Sequence, residues 1–344
     1  MPSTSPAPWA PGVRPSLVPN DPRFDSPVQR SSLAAQAPTL EQPTASPPPK
    51  PTAIAQSPLF LKAALDLKQR GWALIDGILS PEDCEQYIQG LWAWLEGLGT
   101  GISRDDPNTW KPPHWPESVR GIINSLGVAH EPFVWRVRKH PKLLAVFAAL
   151  WGTEALLSSF DSINALAPAT EPPEVPSNGW LHTDQAPTRR GVCCIQGLVN
   201  MVDVGPSSTG TILIKQGSHK HHRRFFDEAC QMSVEEQAKT EDWYQFQDGE
   251  VPWFDQFETV TPSAPAGSLI LWDSRTAHAN VLPEKTDQWR HVVYTCYQPA
   301  SLATEQDLQR KEQAWREYRV TTHWPAQNVS LFNNATDTQK ELAA

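Results

Sequence analysis

Apolar positions at helical spacing mark the first ordered elements of the chain. Ser57-Pro58 starts a predicted helix, because serine caps helix N-termini well and proline fits the first turn. Residues 72–78 then form an apolar run of strand character, and a second helix starts at Ser80-Pro81. One face of this helix is apolar and consists of Cys84, Tyr87, Ile88, Leu91, Trp92 and Leu95. Trp72 and Trp92 are therefore predicted to belong to the core.

Further along the chain, short runs rich in β-branched and aromatic residues predict a mainly β domain with added helices. The predicted strands are 156–166, 192–204, 211–215, 268–273 and 291–297. Helices are predicted at 140–151, near 233–237 within an acidic, aromatic insertion (225–258), and at 305–318. Residues 101–139 show no regular period and predict a long loop, which in other proteins often covers a binding site.

The two ends of the chain differ in composition from this middle part. Fourteen of the 34 prolines lie in residues 1–57, together with many Ser, Thr and Ala residues. Such a segment buries too little apolar surface to offset its ordering entropy, so we predict a disordered tail. It is either an inert extension or a targeting or partner-binding segment. One domain is expected over 58–325, followed by a flexible C-terminal tail over 326–344.

Charge and hydropathy exclude several classes of partner. The formal net charge is −9, and the longest basic run, 219–224, is short. General binders of nucleic acid or of anionic membranes are basic, so neither function is expected. No apolar run approaches the length of about 18 residues that a membrane span needs, and an apolar signal segment is missing at the N-terminus. Nothing in the sequence indicates an oligomeric state.

Cysteine usage indicates a reducing compartment. The five cysteines are odd in number and contain no C-x-x-C spacing. Cys193 and Cys194 are adjacent on a predicted strand, so they face opposite ways and are poor partners for a disulfide. An intracellular, cytoplasmic location is the simplest expectation.

The strongest chemical signal is the His-x-Asp pair His182 and Asp184. On a strand, side chains alternate with period two, so both would point to the same face. His278 follows the strand 268–273 and supplies a second imidazole from a distant part of the chain. Two histidines and one carboxylate form the facial triad of non-haem Fe(II) oxygenases, which leaves metal positions open for a co-substrate and O2.

A fourth residue, Arg290, extends this pattern. It lies 12 residues after His278 at the start of another apolar run, and its planar fork suits a carboxylate. Arg275 lies three residues before His278 and would face away from the metal on a regular strand. His219, His221 and His222 follow Gly217-Ser218 in a polar turn and are expected to be solvated. Triad and arginine together indicate an Fe(II)/2-oxoglutarate oxygenase.

Over about residues 60–325, the chain resembles the phytanoyl-CoA dioxygenase-like family. The matching motifs are Asp76-Gly77, Ser159-Phe160-Asp161, Gln196-Gly197-Leu198-Val199-Asn200, Gly217-Ser218-His219, Trp272-Asp273-Ser274-Arg275 and Thr322-His323-Trp324-Pro325. The resemblance implies a double-stranded β-helix (a cupin-type jelly roll) that uses Fe(II) and 2-oxoglutarate. It also implies that 2-oxoglutarate chelates the iron and that its far carboxylate meets Arg290.

The resemblance suggests a role for one amide as well. Asn164 lies on the strand before the His-x-Asp motif, where relatives place an amide that hydrogen-bonds the co-substrate. An amide that merely satisfies a strand end is an equally good interpretation. Gln185 and Gln196 are weaker candidates for the pocket wall.

Two classes of function are consistent with the sequence. The first is an Fe(II)/2-oxoglutarate-dependent dioxygenase that hydroxylates a small or medium-sized organic molecule with O2. The second is a catalytically silent cupin-like protein that binds a metal or ligand, for which the complete triad and arginine would be surplus. A halogenase of the same fold needs the carboxylate position empty for chloride, and Asp184 disfavours it.

Overall fold

A computed structural model describes most of the predicted domain. The described residues are 57–168, 179–206, 209–240, 242–282, 288–327 and 329–332. The predicted N-terminal tail, except Ser57, and residues 333–344 lie outside these ranges. The packed chain extends beyond residue 325, because Ala326 and Val329 are buried and Leu331 bridges Thr321.

Seven α-helices are described, and the first two begin at the N-cap serines that the sequence indicates. They are α1 (Pro58–Arg70), α2 (Pro81–Gly97), α3 (Pro132–Arg138), α4 (Pro141–Trp151), α5 (His222–Glu228), α6 (Val234–Lys239) and α7 (Glu305–Arg316). Ser57 accepts a hydrogen bond from the Phe60 backbone N–H, and Ser80 forms a capping box with Asp83. None of the described helices is long and apolar enough to cross a membrane.

Two antiparallel sheets form the centre of the domain. The larger sheet contains β1 (Trp72–Ile75), β2 (Ile122–Ile123), β3 (Leu156–Ser158), β4 (Ile163–Leu166), β6 (Ile195–Asn200), β10 (Leu269–Asp273) and β12 (Arg290–Pro299). Its order is β1-β10-β6-β12-β4-β2, with β3 also paired to β12. The smaller sheet has the order β8-β5-β11-β7-β9. Its strands are β5 (His182–Thr183), β7 (Thr211–Lys215), β8 (Tyr244–Gln245), β9 (Thr259–Val260) and β11 (His278–Val281).

Side-chain alternation separates an inner from an outer core. Along β10, Ile270 and Trp272 pack in a cluster that joins both sheets, with Ile212 and Ile214 of β7 on the other side. Leu269 and Leu271 belong instead to the larger cluster beneath the helices, which also contains Trp92. Period-two alternation thus gives each strand one face toward the space between the sheets.

Several predicted elements are wrong in their extent. The predicted strands 72–78 and 192–204 are shorter and span Trp72–Ile75 and Ile195–Asn200. The predicted strand 156–166 is split into β3 and β4, because the Ser159 N–H donates to Cys296 and the Phe160 N–H to Thr321 Oγ1. The predicted loop 101–139 contains α3, whose Val134 and Val137 are buried. The spacing of these buried apolar positions is the sequence pattern that would have predicted α3.

Candidate metal centre

The two sequence-predicted histidines are direct neighbours in the smaller sheet. His182 of β5 pairs in register with His278 of β11. Side chains of a directly opposed pair project to the same face, and the two imidazole centroids lie 4.3 Å apart. Both residues are buried. Strand pairing therefore brings together two imidazoles that are far apart in the sequence.

Asp184 completes the cluster from just beyond the end of β5. Its backbone N–H donates to the Ser274 carbonyl at 2.9 Å, which fixes the turn after the strand. One carboxylate oxygen lies 3.8 Å from His182 Nε2, and the other lies 3.2 Å from His278 Nε2. One potential ligand atom from each of the three residues lies within 4.8 Å of the others. In the described part of the chain, no second group of this kind occurs.

Backbone carbonyls orient both imidazoles. His182 Nδ1–H donates to the Trp180 carbonyl at 2.8 Å, and His278 Nδ1–H donates to the Thr276 carbonyl at 2.9 Å. Each ring therefore turns its Nε2 lone pair toward Asp184, which is how metal-ligating histidines are usually held. The donor set fits a divalent transition metal.

Burial and charge also favour metal binding. Burial and, to a smaller extent, the neighbouring His278 lower the pKa of His182 to about 4, so the His182 imidazole is neutral at pH 7. Burial by itself would raise the pKa of Asp184, but His323, His182 and His278 hold it well below its usual range. Asp184 is therefore a carboxylate and supplies the negative charge that a cation requires.

Two further residues contact Asp184, and the sequence did not reveal these contacts. Gln196 of β6 donates from Nε2 to Asp184 Oδ2 at 2.8 Å, and His323 Nε2–H donates to the Asp184 carbonyl at 3.2 Å. In the sequence, Gln196 is only a weak candidate for the pocket wall. His323 has no ligand-type residue near it at the spacing of a strand or a helix. Both are positioning residues for the carboxylate rather than metal ligands themselves.

We expect Gln196→Leu to weaken iron binding roughly 10–100-fold, the usual effect of losing a hydrogen-bond partner of a metal ligand. Chelator competition under anaerobic conditions measures this affinity. Gln237→Leu is the matched control, because Gln237 is also buried but its amide donates to the Phe226 and Met232 carbonyls. Equal iron affinity in Gln196→Leu and the wild type would show that the Asp184 contact has no positioning role.

Arg290 is a buried cation with open hydrogen-bonding capacity. It is the first residue of β12 and is only 2% exposed. Its Nη2 donates to Asn280 Oδ1 at 3.0 Å, and the Tyr294 side chain also interacts with the guanidinium, but Nε and Nη1 are buried and have no hydrogen-bond partner among the described residues. An unpaired buried charge is costly, so this guanidinium is suited to receive a carboxylate from outside the chain.

Hydrogen bonds connect Asn164 and Arg120 to Arg290 through Asn280. Asn164 is fully buried; its Nδ2 donates to the Arg120 carbonyl at 3.0 Å, and its Oδ1 accepts no hydrogen bond from the described residues. The Arg120 carbonyl also lies 3.4 Å from the Nδ2 of Asn280, the residue that contacts Arg290. Both terminal nitrogens of Arg120 are buried without a hydrogen-bond partner among the described residues, and its guanidinium lies over the Trp180 ring, 5.0 Å from the ring centroid. No sequence pattern points to Arg120, because it lies in the irregular segment and belongs to no motif.

The structure also locates the discounted residues. Arg275 is paired with Asp273 through contacts of 2.9 and 2.6 Å, so its charge is already satisfied. The expectation of a solvated His219–His222 turn is wrong for two of its residues. His219 and His222 are buried, and their Nε2 atoms bond the Lys68 and Gln185 carbonyls. These backbone bonds explain how two imidazoles are accommodated inside the protein without a metal.

Comparison with known proteins agrees with this site. A buried set of two histidines and one carboxylate beside an unpaired arginine is the arrangement of Fe(II)/2-oxoglutarate oxygenases. Residues 67–292 match the phytanoyl-CoA dioxygenase (PhyH) family, and the chain belongs to that family. Its cofactors are therefore Fe(II) and, as co-substrate, 2-oxoglutarate, and it is an oxygenase that uses O2 on a small molecule.

Individual proteins are also similar to this chain. The chain is 34% identical over 264 residues to "Ava biosynthesis cluster protein O" of Aspergillus versicolor, covering 76% of this chain and 84% of that protein. Among solved structures, the non-haem α-ketoglutarate-dependent carbocyclase SnoK from nogalamycin biosynthesis is similar in fold. Its TM-score is 0.50 at 18% identity, covering 73% of this chain and 88% of SnoK.

Proposed function

We propose that the chain is an Fe(II)/2-oxoglutarate-dependent hydroxylase of a small or medium-sized organic molecule. His182, Asp184 and His278 would hold the iron, and Arg290 would hold the far carboxylate of 2-oxoglutarate. One observation carries the proposal: the three ligand atoms and the unpaired guanidinium are buried in the same domain. A silent protein that binds no dicarboxylate would have no use for an arginine with two open, buried donors.

The sheet arrangement supports a cupin-type jelly roll. All described strand pairs are antiparallel, and residues of both sheets pack in one inner cluster. Arg290, Val292 and Tyr294 are alternate residues of β12 and share one face, and Val292 belongs to the inner cluster. A double-stranded β-helix would thus direct Arg290 into the space between the sheets, together with the co-substrate.

Each residue of the site has a definable task in this function. When bound, Fe(II) and 2-oxoglutarate activate O2, and the co-substrate is converted to succinate and CO2. Arg290 and Arg120 would neutralise the dicarboxylate, and the Asn164 amide would fix its orientation through the unpaired Oδ1 or its N–H groups. Burial of the site excludes water from the reaction, which protects a strong oxidant from unproductive reduction.

Two tryptophans flank His182 and define a candidate substrate surface. The rings of Trp180 and Trp243 lie 4.9 and 6.0 Å from the His182 ring, and both side chains are half-buried. Trp180 has φ +61°, a conformation that costs a bulky residue about 1–3 kcal/mol and is retained mainly at functional sites. Aromatic walls favour a flat or ring-bearing substrate, and we propose a substrate of this kind.

The direct test is a metabolite-library screen for substrate-stimulated succinate formation by the iron-loaded protein. We expect ring-bearing compounds to stimulate succinate formation and to gain one oxygen atom, detected as a mass increase of about 16 Da. Incorporation of the label from ¹⁸O2 would identify the oxygen source. A protein that binds 2-oxoglutarate and iron but converts no co-substrate, with or without library compounds, would be the silent binder instead.

We expect Trp243→Leu to lower kcat/KM for the substrate found in this screen by roughly tenfold, the value of one aromatic contact. The affinity for 2-oxoglutarate should stay unchanged, because Trp243 contacts His182 rather than Arg290. Trp253→Leu is the control: its ring packs on Phe225 and Phe254, in the same insertion. A loss of equal size in both variants would remove Trp243 from the substrate surface.

A further inference from the structure

Two buried cysteines lie in contact on neighbouring strands of the larger sheet. The sulfur atoms of Cys194 and Cys296 are 3.0 Å apart, and the residues are 0% and 1% exposed. Cys296 lies on β12 opposite Gln196, so Cys194, two residues before Gln196, is its diagonal neighbour. Both are free thiols in this structure. Strand pairing holds the two sulfurs together across 102 residues of sequence.

This geometry requires little change for a covalent bond. The two sulfurs already lie 3.0 Å apart, and a disulfide has an S–S distance of about 2.05 Å. The sulfurs would therefore need to approach by only about 1 Å. Trp324 covers the pair, and Cys193 packs against the same small cluster. Enclosure of this kind keeps the two thiols in contact.

We propose that Cys194 and Cys296 are a redox-active pair that closes to an intrachain disulfide when a hydroperoxide oxidises it. The two S–H groups lose two protons and two electrons, and one S–S bond forms. With hydrogen peroxide, the O–O bond breaks and takes up these electrons and protons to give two water molecules. The reverse step needs a dithiol reductant, which is oxidised to its own disulfide.

The other three cysteines are less well placed to form a disulfide. Cys193 packs against the pair, but its S–H donates to the Arg190 carbonyl at 3.3 Å. Cys230 donates to the Tyr244 hydroxyl at 3.6 Å, and no sulfur partner for Cys84 occurs among the described residues. Burial raises the pKa of the Cys194 thiol, so thiolate is scarce and oxidation should proceed over hours rather than seconds.

Backbone hydrogen bonds connect the cysteine pair to Asp184, the proposed carboxylate ligand. The Cys194 carbonyl accepts from the Ser274 N–H at 3.1 Å, and the Ser274 carbonyl accepts from the Asp184 N–H at 2.9 Å. Cys194 also precedes the strand whose Gln196 contacts Asp184 Oδ2. A disulfide here would tie β6 to β12 at the corner that positions Asp184, so the redox state of the pair would set how rigidly that corner is held.

The full chain, with Zn(II) in place of redox-active iron, is treated with hydrogen peroxide, then denatured, alkylated and digested. Before alkylation, the mass of the intact oxidised chain should be lower by two hydrogens. Two of the five thiols should then escape alkylation, and the digest should contain one cross-linked peptide that joins Cys194 to Cys296. The disulfide should raise Tm by roughly 5–10 °C, and dithiothreitol should reverse the shift.

Variants make the assignment specific. Cys194→Ala and Cys296→Ala should each abolish the cross-link and the Tm shift under peroxide, whereas Cys84→Ala should retain both. Alkylation of all five thiols after prolonged oxidation would overturn the proposal. So would a cross-link that involves Cys193, or an equal rise in Tm in Cys194→Ala.

Discussion

Arg290→Ala is expected to weaken 2-oxoglutarate binding by a hundredfold or more while iron binding stays nearly unchanged. The guanidinium is buried, and two of its nitrogens have no hydrogen-bond partner among the residues that the structure describes. Losing one member of a buried ion pair costs about 3–5 kcal/mol, which corresponds to a factor of more than a hundred in affinity. Calorimetric titration of 2-oxoglutarate into the anaerobic, metal-loaded protein measures this loss.

Arg275→Ala is the matched control for that experiment. Arg275 is also a partly buried arginine near the site, but its charge is paired with Asp273 within the chain. Its removal should change protein stability more than co-substrate affinity. The assignment of Arg290 would be wrong if both substitutions raised the apparent dissociation constant of 2-oxoglutarate to the same extent. Arg120→Gln should fall between these two variants, since Arg120 has no carboxylate partner among the described residues but is only half-buried and lies over the Trp180 ring.

Asp184→Ala is expected to abolish turnover. It should also lower iron affinity by more than the roughly 10–100-fold expected when only a hydrogen-bond partner of a metal ligand is removed. Asp184 is the only carboxylate of the cluster, so its loss changes the charge of the site as well as the number of ligands. Iron content after dialysis and 2-oxoglutarate turnover measure the two effects. Asp255→Ala, at an exposed position, should retain full iron content and activity.

The sequence predicted the elements of the site that depend on local pattern. Alternation and a single His-x-Asp motif placed His182 and Asp184 together, and the apolar run after Arg290 placed this residue at the start of a strand. The pairing of His182 with His278 follows from the same strand pattern only once the sheet order is known. Local periodicity therefore identified which residues to consider but not how they meet.

Residues that act through distant contacts could not be predicted in this way. His323 reaches the Asp184 carbonyl across 139 positions, and Arg120 reaches Asn164 across 44. Neither belongs to a periodic segment, so no spacing rule brings it to the site. Likewise, His219 and His222 looked solvated because they follow a polar turn. Their burial depends on tertiary carbonyl partners that composition does not reveal.

The most direct test of the central claim is an anaerobic titration of the Fe(II)-loaded protein with 2-oxoglutarate, followed by visible absorption. A keto acid that chelates Fe(II) held by two histidines and one carboxylate gives a weak charge-transfer band, and we expect this band to saturate in the wild type. It should be lost in Asp184→Ala and should need far more 2-oxoglutarate in Arg290→Ala. A wild-type protein that retains iron but develops no band at saturating 2-oxoglutarate would contradict the account.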